Sequence, residues 1–195
     1  MKKLNAAMAL ALVFTVCISF ARVDALCQDI RDNVFRLHIR ANSDTKADQN
    51  LKLLIRDAIL KTEGENFGRQ DNLREAISYA ENNIENFEKI ALQVIKEQGF
   101  DYDVDISVGD SYFENREYDD FTLPAGVYKS LNINIGSGEG KNWWCVMFPA
   151  VCIGASANLS DSVCDDSSKL AYGKDKYIVK FKTVEIYEDI KNFFK

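Results

Sequence analysis

Phe35-Arg36-Leu37-His38-Ile39-Arg40-Ala41 alternates strictly between apolar and polar residues. Phe35, Leu37, Ile39 and Ala41 share one face of an extended chain; Arg36, His38 and Arg40 share the other. Successive side chains of a strand point to opposite faces, so this period of two predicts a half-buried strand. Asn42-Ser43-Asp44-Thr45 then offers helix caps, with Thr45 and Asp48 at the spacing of a capping pair. Leu51, Leu54, Ile55, Ala58 and Ile59 recur at helical spacing, which predicts a helix ending near Thr62, before Gly64.

Outward from that unit, Asp71 is placed to cap a second helix reaching about Gln98, with Gly99 as its stop. Leu73, Ile77, Ala80, Ile84, Phe87, Ala91 and Val94 form its apolar seam. Such a seam suits a coiled coil, but in a compact domain it lies on a sheet or a neighbouring helix. Tyr102, Val104, Ile106 and Val108 alternate with Asp101, Asp103, Asp105 and Ser107, which predicts a strand with an acidic outer face. Pro124-Ala125-Gly126 turns into a further strand, Val127 to Ile135. A Gly-rich segment, a Trp/Cys loop and a polar connection over Ser156–Ser168 follow. Tyr177–Phe181 reads as a strand or the start of a helix, and Thr183–Phe194 as a closing helix. The order predicts an α+β fold: an antiparallel or mixed sheet, two consecutive helices after the first strand, and a C-terminal helix.

Lys2 and Lys3 precede an apolar run from Ala6 to Phe20, with small residues at Ser19, Ala21 and Ala25. That is the pattern of an export signal, with cleavage after Ala21 or Ala25. The run of about 15 residues is short for a spanning helix, although an uncleaved anchor is the alternative. Residues 1–25 are therefore assigned to a signal or membrane segment, and 26–195 to a single exported domain. Losing Lys2, Lys3, Arg22 and Asp24 from a chain of 24 basic and 30 acidic residues moves the net charge from −6 to −8. An acidic exported domain is a poor partner for nucleic acid or anionic lipid, so membrane association is expected only through the N-terminal segment.

Lys141-Asn142-Trp143-Trp144-Cys145-Val146-Met147-Phe148-Pro149-Ala150-Val151-Cys152 gathers both tryptophans and two of the five cysteines. Adjacent strand residues face opposite ways, so one indole is expected to anchor the core and the other to be partly exposed. Cys17 lies within the apolar signal, leaving Cys27, Cys145, Cys152 and Cys164 in an oxidation-permissive compartment. Four cysteines allow three connectivities, and the sequence does not select one. Cys145–Cys152 with Cys27–Cys164 is the preferred pairing.

Familiar chemistry fits poorly. Gly136-Ser137-Gly138-Glu139-Gly140-Lys141-Asn142 has one residue too few for a nucleotide-phosphate loop, and Asn142 stands where magnesium needs a hydroxyl. It reads as a flexible turn. Asp101, Asp103 and Asp105 lack the glycine and glutamate of a calcium loop, since Ile106 and Tyr112 hold those places. No Cys-x-x-Cys spacing supports zinc, and no cofactor or metal is expected. His38 is the only histidine and lies between two arginines, whose charges oppose its protonation. A secreted cell-wall or peptide hydrolase using His38 or a carboxylate pair is the alternative function. Arg36, His38, Arg40 and Asn42 form a basic, hydrogen-bonding row that reads as a solvated strand face or a docking surface. Trp143 and Trp144 are candidate interface anchors.

Leu37-His38-Ile39-Arg40-Ala41-Asn42-Ser43-Asp44, Asp48-Gln49 and Leu51–Ala58 resemble the opening of the stage II sporulation protein R family. Leu123–Leu131, Ile135–Pro149 and Cys152 are similar to its second half, so the resemblance runs from about Phe35 to Cys152. The resemblance implies a non-enzymatic protein made in the forespore and exported to the space between the forespore and mother-cell membranes. There it would activate a membrane-embedded aspartic protease that processes the precursor of sigma factor E. It implies no catalytic residues in this chain.

Overall fold

The computed structural model describes residues 2–118, 120–151 and 158–173. The chain forms two compact units. The larger spans residues 32–113 and 127–163. The smaller takes residues up to Arg31, Glu114–Gly126 and the segment from Cys164.

In the larger unit, β1 (Phe35–Arg40) lies inside a four-stranded mixed sheet. Its companions are β2 (Val104–Phe113), β5 (Gly126–Ile135) and β6 (Asn142–Phe148), in the order β2-β5-β1-β6. β1 runs parallel to β5, with Leu37 beside Leu131, and antiparallel to β6, with Leu37 beside Cys145. Pairing with β6 shifts by one residue between Phe35 and Arg36, and Met147 and Phe148 both join the core at this irregularity.

Three helices contribute to the core with the face that carries Phe35, Leu37 and Ile39: α2 (Lys46–Gly68), α3 (Leu73–Asn82) and α4 (Ile84–Glu97). Thr45 caps α2, its Oγ1 accepting from the Asp48 amide at 3.2 Å. α2 does not end before Gly64 as expected. It continues to Gly68, more than one further turn, which carries Phe67 into the core against Phe35, Tyr79 and Phe87. The buried Glu63 carboxylate in that turn accepts from Tyr79, Asn66 and Asn86, so tertiary bonds outweigh the helix-weakening effect of glycine. The predicted helix over residues 71–98 is two helices. Its cap is Asn72, and the chain breaks at Asn83, whose side-chain amide donates to the Tyr79 carbonyl at 2.8 Å. α4 closes on Gly99 at φ +76°, with paired bonds Gly99 N to Lys96 O and Phe100 N to Ile95 O.

The expected Trp/Cys loop is largely strand β6, because Trp143, Cys145 and Met147 supply alternate side chains to the core. The polar connection is also more ordered than expected. A 3₁₀ turn occupies Leu159–Asp161, and α5 (Asp165–Tyr172) follows. The predicted elements over residues 177–181 and 183–194 lie outside the described residues.

The smaller unit combines the end of α1 (Lys2–Asp32), the hairpin of β3 (Arg116–Glu117) with β4 (Thr122–Leu123), and α5. Arg31, 5 % exposed, donates from Nη1 to the Ala125 carbonyl at 3.1 Å and from Nε and Nη2 to Gln28. A Cβ at Gly126 would overlap Arg31 Cδ, which explains a glycine at φ +147°. Leu4 to Ile18 of α1 present exposed apolar side chains. The helix from Lys3 to Asp32 is long and apolar enough to cross a membrane, and its N-terminal position is consistent with a signal sequence.

Candidate functional site

Arg36, His38 and Arg40 share one face of β1, but their environments differ steeply. Arg36 is fully buried, with Cζ 4.0 Å from the Phe113 ring centroid and 5.0 Å from that of Tyr128. These rings from β2 and β5 wall it off, so Arg36 is a packing residue and not the solvated group expected of an outer strand face. His38 is half-buried, with Phe113 and Trp144 beside its ring. Its Nε2 lies 2.9 Å from Asn142 Oδ1 and its Nδ1 3.3 Å from Asn132 Oδ1. Burial depresses the His38 pKa most, Arg40 and Arg36 add to the depression, and the two asparagines partly oppose it. Arg40 is exposed and donates from Nε to Asn142 Oδ1 at 3.3 Å.

Asn42 belongs to a different structure. Its Oδ1 accepts from the Ser137 amide at 3.0 Å, its carbonyl accepts from Ser137 Oγ at 2.8 Å, and its Nδ2 donates to Asp48 Oδ2 at 3.0 Å. Ser43 Oγ and Tyr102 Oη also donate to the Asp48 carboxylate. Burial pushes the Asp48 pKa up, but the bonds from Ser43, Asn42, Tyr102 and Thr45 outweigh it and hold the carboxyl below its ordinary value. Gly136 at φ +57° admits the Asn42 side chain where a Cβ would overlap it, and Gly140 passes against the Ser43 carbonyl. The Gly-rich segment expected to be a flexible turn is thus a clasp, bonding the loop after β5 to the loop after β1.

The two indoles part as the alternation of a strand requires. Trp143 packs with the helix-side core and carries Arg56 of α2 on its ring, Cζ 4.3 Å from the centroid. Trp144 lies on the other face with His38 and Phe113. Both rings are half-buried, so neither is a wholly core indole. The partner-binding residues expected from sequence therefore fall into three places. His38, Arg40 and Trp144 adjoin on the polar face with Arg36 buried on the same face, Asn42 sits in the clasp, and Trp143 faces the helices.

Neither expected bridge is seen among the described residues. Cys27 and Cys164 form no disulfide; Cys27 is buried in the smaller unit, and Cys164 Sγ turns to Ser167 Oγ at 3.1 Å. Cys145 also forms no disulfide and packs in the core beside Leu37, while Cys152 lies outside the described residues. Among the described residues, no group of three or more His, Cys, Asp or Glu side chains is placed to hold a metal.

Sequence reasoning passed over Arg56, Lys52 and Lys141. Lys52 is 3 % exposed and donates from Nζ to Gln49 Oε1 at 2.6 Å and to the Lys141 carbonyl at 2.7 Å. The available signal was a pair of cations four residues apart on a helix, which is unfavourable without another purpose.

A family model described as stage II sporulation protein R matches residues 31–158, a span containing β1 to β6 and α2 to α4. The chain is also similar to the stage II sporulation protein R of Bacillus subtilis (strain 168). The two are 30 % identical over 161 residues, covering 83 % of this chain and 68 % of that protein. No solved structure matches it.

Proposed function

This chain belongs to the stage II sporulation protein R family, and from that premise we propose that it is an exported sporulation signal. The family match over the sheet and its helices is the observation that carries the reading. Residues 1–25 direct export, and residues 26–195 are the signalling part, delivered between the forespore and mother-cell membranes. Its partner is a membrane-embedded aspartic protease of the mother cell, and the outcome is processing of the sigma factor E precursor. Bond cleavage belongs to the partner.

A ligand shifts a receptor toward its working state only by binding that state more tightly, so activation needs a contact surface that reads a rearranging part of the protease. Arg40, His38 and Trp144 are assigned to that contact. Exposed Arg40 supplies charge, and the half-buried indole supplies an anchor. Arg36 supports the same face from beneath through Phe113 and Tyr128. Asn42 acts indirectly, by fixing the clasp beyond Arg40.

Reconstitution tests this. The full chain is co-expressed with the candidate protease and its precursor substrate, and processing is followed by the size of the precursor. Processing is expected with the chain and not without it. Equal processing in both would remove the signalling role, and turnover of cell wall or peptide by the purified chain, abolished in His38→Ala, would replace it with the hydrolase.

A further inference from the structure

Lys52 and Arg56 stand one turn apart on α2, and Lys141 and Trp143 stand two residues apart at the entry to β6. Contacts knit the two pairs together. The Lys52 ammonium bonds to the Lys141 carbonyl, and the Arg56 guanidinium lies over the Trp143 ring. Three cations are therefore close enough to act on one another, one of them stacked on an indole, on a chain of net charge −6. Asp57 pairs with Arg56 at 2.6 Å, and Asp44 is the acid that favours the charged form of Lys52. Burial depresses the Lys52 pKa most, and the neighbouring Lys141 and Arg56 charges depress it further against Asp44. Like charges four residues apart on a helix repel, a cost set against the Trp143 stacking and the Asp57 pair. A carboxylate brought in from outside would relieve the repulsion.

We propose that Lys141, Arg56 and Trp143, backed by Lys52, form a docking surface for an acidic segment of a partner protein. Exposed Lys141 offers its ammonium, and the Arg56 guanidinium, held by the Trp143 ring and by bonds from Nε and Nη2 to Asp57 Oδ1, offers its remaining N–H groups to a carboxylate. A protein segment fits better than an anionic membrane. Lys52 and Arg56 are held in place by their bonds and stacking, which suits a carboxylate at a fixed position rather than a diffuse anionic plane. This surface rests on the signalling reading for the identity of the partner, and adds a contact on the helix side, apart from Arg40 and Trp144.

The test uses the full chain in a mild nonionic detergent, with decaglutamate peptide as probe and tryptophan fluorescence as readout. Saturable binding at low salt is expected, weakening as salt screens the charges. Lys141→Glu should reduce affinity about tenfold or more. Arg56→Gln should reduce it as well, while Lys89→Glu, the same charge change as Lys141→Glu at an exposed position of α4, should leave it unchanged. Lys141 is exposed, so Lys141→Glu keeps the test valid if Arg56→Gln fails to fold, as judged by circular dichroism. No peptide binding, or equal loss in Lys89→Glu, overturns the surface. Lys141-dependent binding to phosphatidylcholine–phosphatidylglycerol vesicles in preference to peptide overturns it in favour of a membrane contact. In the processing assay, wild-type activation matched by Lys141→Glu and Arg56→Gln would sink this surface alone. Failure of wild-type activation would sink the signalling role, leaving peptide binding to decide the surface.

Discussion

The two faces of β1 are written with the same alternation and end in opposite conditions. On one, Phe35, Leu37 and Ile39 are uniformly buried in the core formed with α2, α3 and α4. On the other, burial falls from Arg36 through His38 to exposed Arg40. The apolar face is governed by removal of surface from water, which treats each aliphatic position alike. The polar face is governed by particular neighbours: Phe113 and Tyr128 at Arg36, asparagines at His38, and the clasp beyond Arg40. Composition sets the first face, and local partners set the second.

The apolar face is the more sensitive of the two to substitution. Phe67→Ala removes a ring packed against Phe35, Tyr79 and Phe87, and should cost about 3–5 kcal/mol in urea unfolding. A cost within the range of a surface substitution would mean that the last turn of α2 does not hold the core. At the clasp, Gly136→Ala combines a left-handed backbone with overlap on Asn42 and should cost roughly 2–3 kcal/mol by the same measurement.

Two substitutions on one face sharpen the gradient. Arg36→Ala should destabilise by about 2 kcal/mol, since it removes a desolvated guanidinium between two rings. Arg40→Ala should change stability by less than about 0.5 kcal/mol while impairing precursor processing. Equal stability losses would show that burial does not separate these arginines.

The smallest effect is a pH slope. Burial lowers the His38 pKa below its ordinary value in the folded chain, so the unfolded chain binds its proton first as pH falls. Stability should therefore decline as pH drops through about 6.5, the ordinary histidine value, and level off below the folded pKa. As the only histidine, His38 gives a single imidazole signal in an NMR titration, and His38→Gln should remove its part of the slope. A folded pKa at or above the ordinary value would contradict the desolvated setting between Phe113 and Trp144.

Much of this fold was legible before folding was considered. Strand β1, the Thr45 cap, the strand entered at Gly126 and the helix stop at Gly99 all followed from periodicity or backbone preference. The errors have a common source. Gly64 suggested an end to α2 that Phe67 and Glu63 overrode through contacts with α3 and α4. An unbroken apolar seam concealed the break at Asn83, because periodicity records which side is buried and not where an asparagine turns its amide to a carbonyl. The expected flexibility of the Gly-rich segment failed because those glycines admit Asn42 and the Ser43 carbonyl, whose positions depend on residues about 95 places away.

By itself the sequence determined the α+β layering, the apolar face of β1, the export-like N-terminus and the opposite facing of Trp143 and Trp144. Each follows from side-chain direction or apolar patterning within a short stretch of chain. Folding in three dimensions buries Arg36, sets Asn42 on the glycine loop, and brings Lys52 to the Lys141 carbonyl and Arg56 onto the Trp143 ring. Those outcomes depend on hydrogen bonds and ring contacts between distant segments, and such contacts leave no period in the sequence.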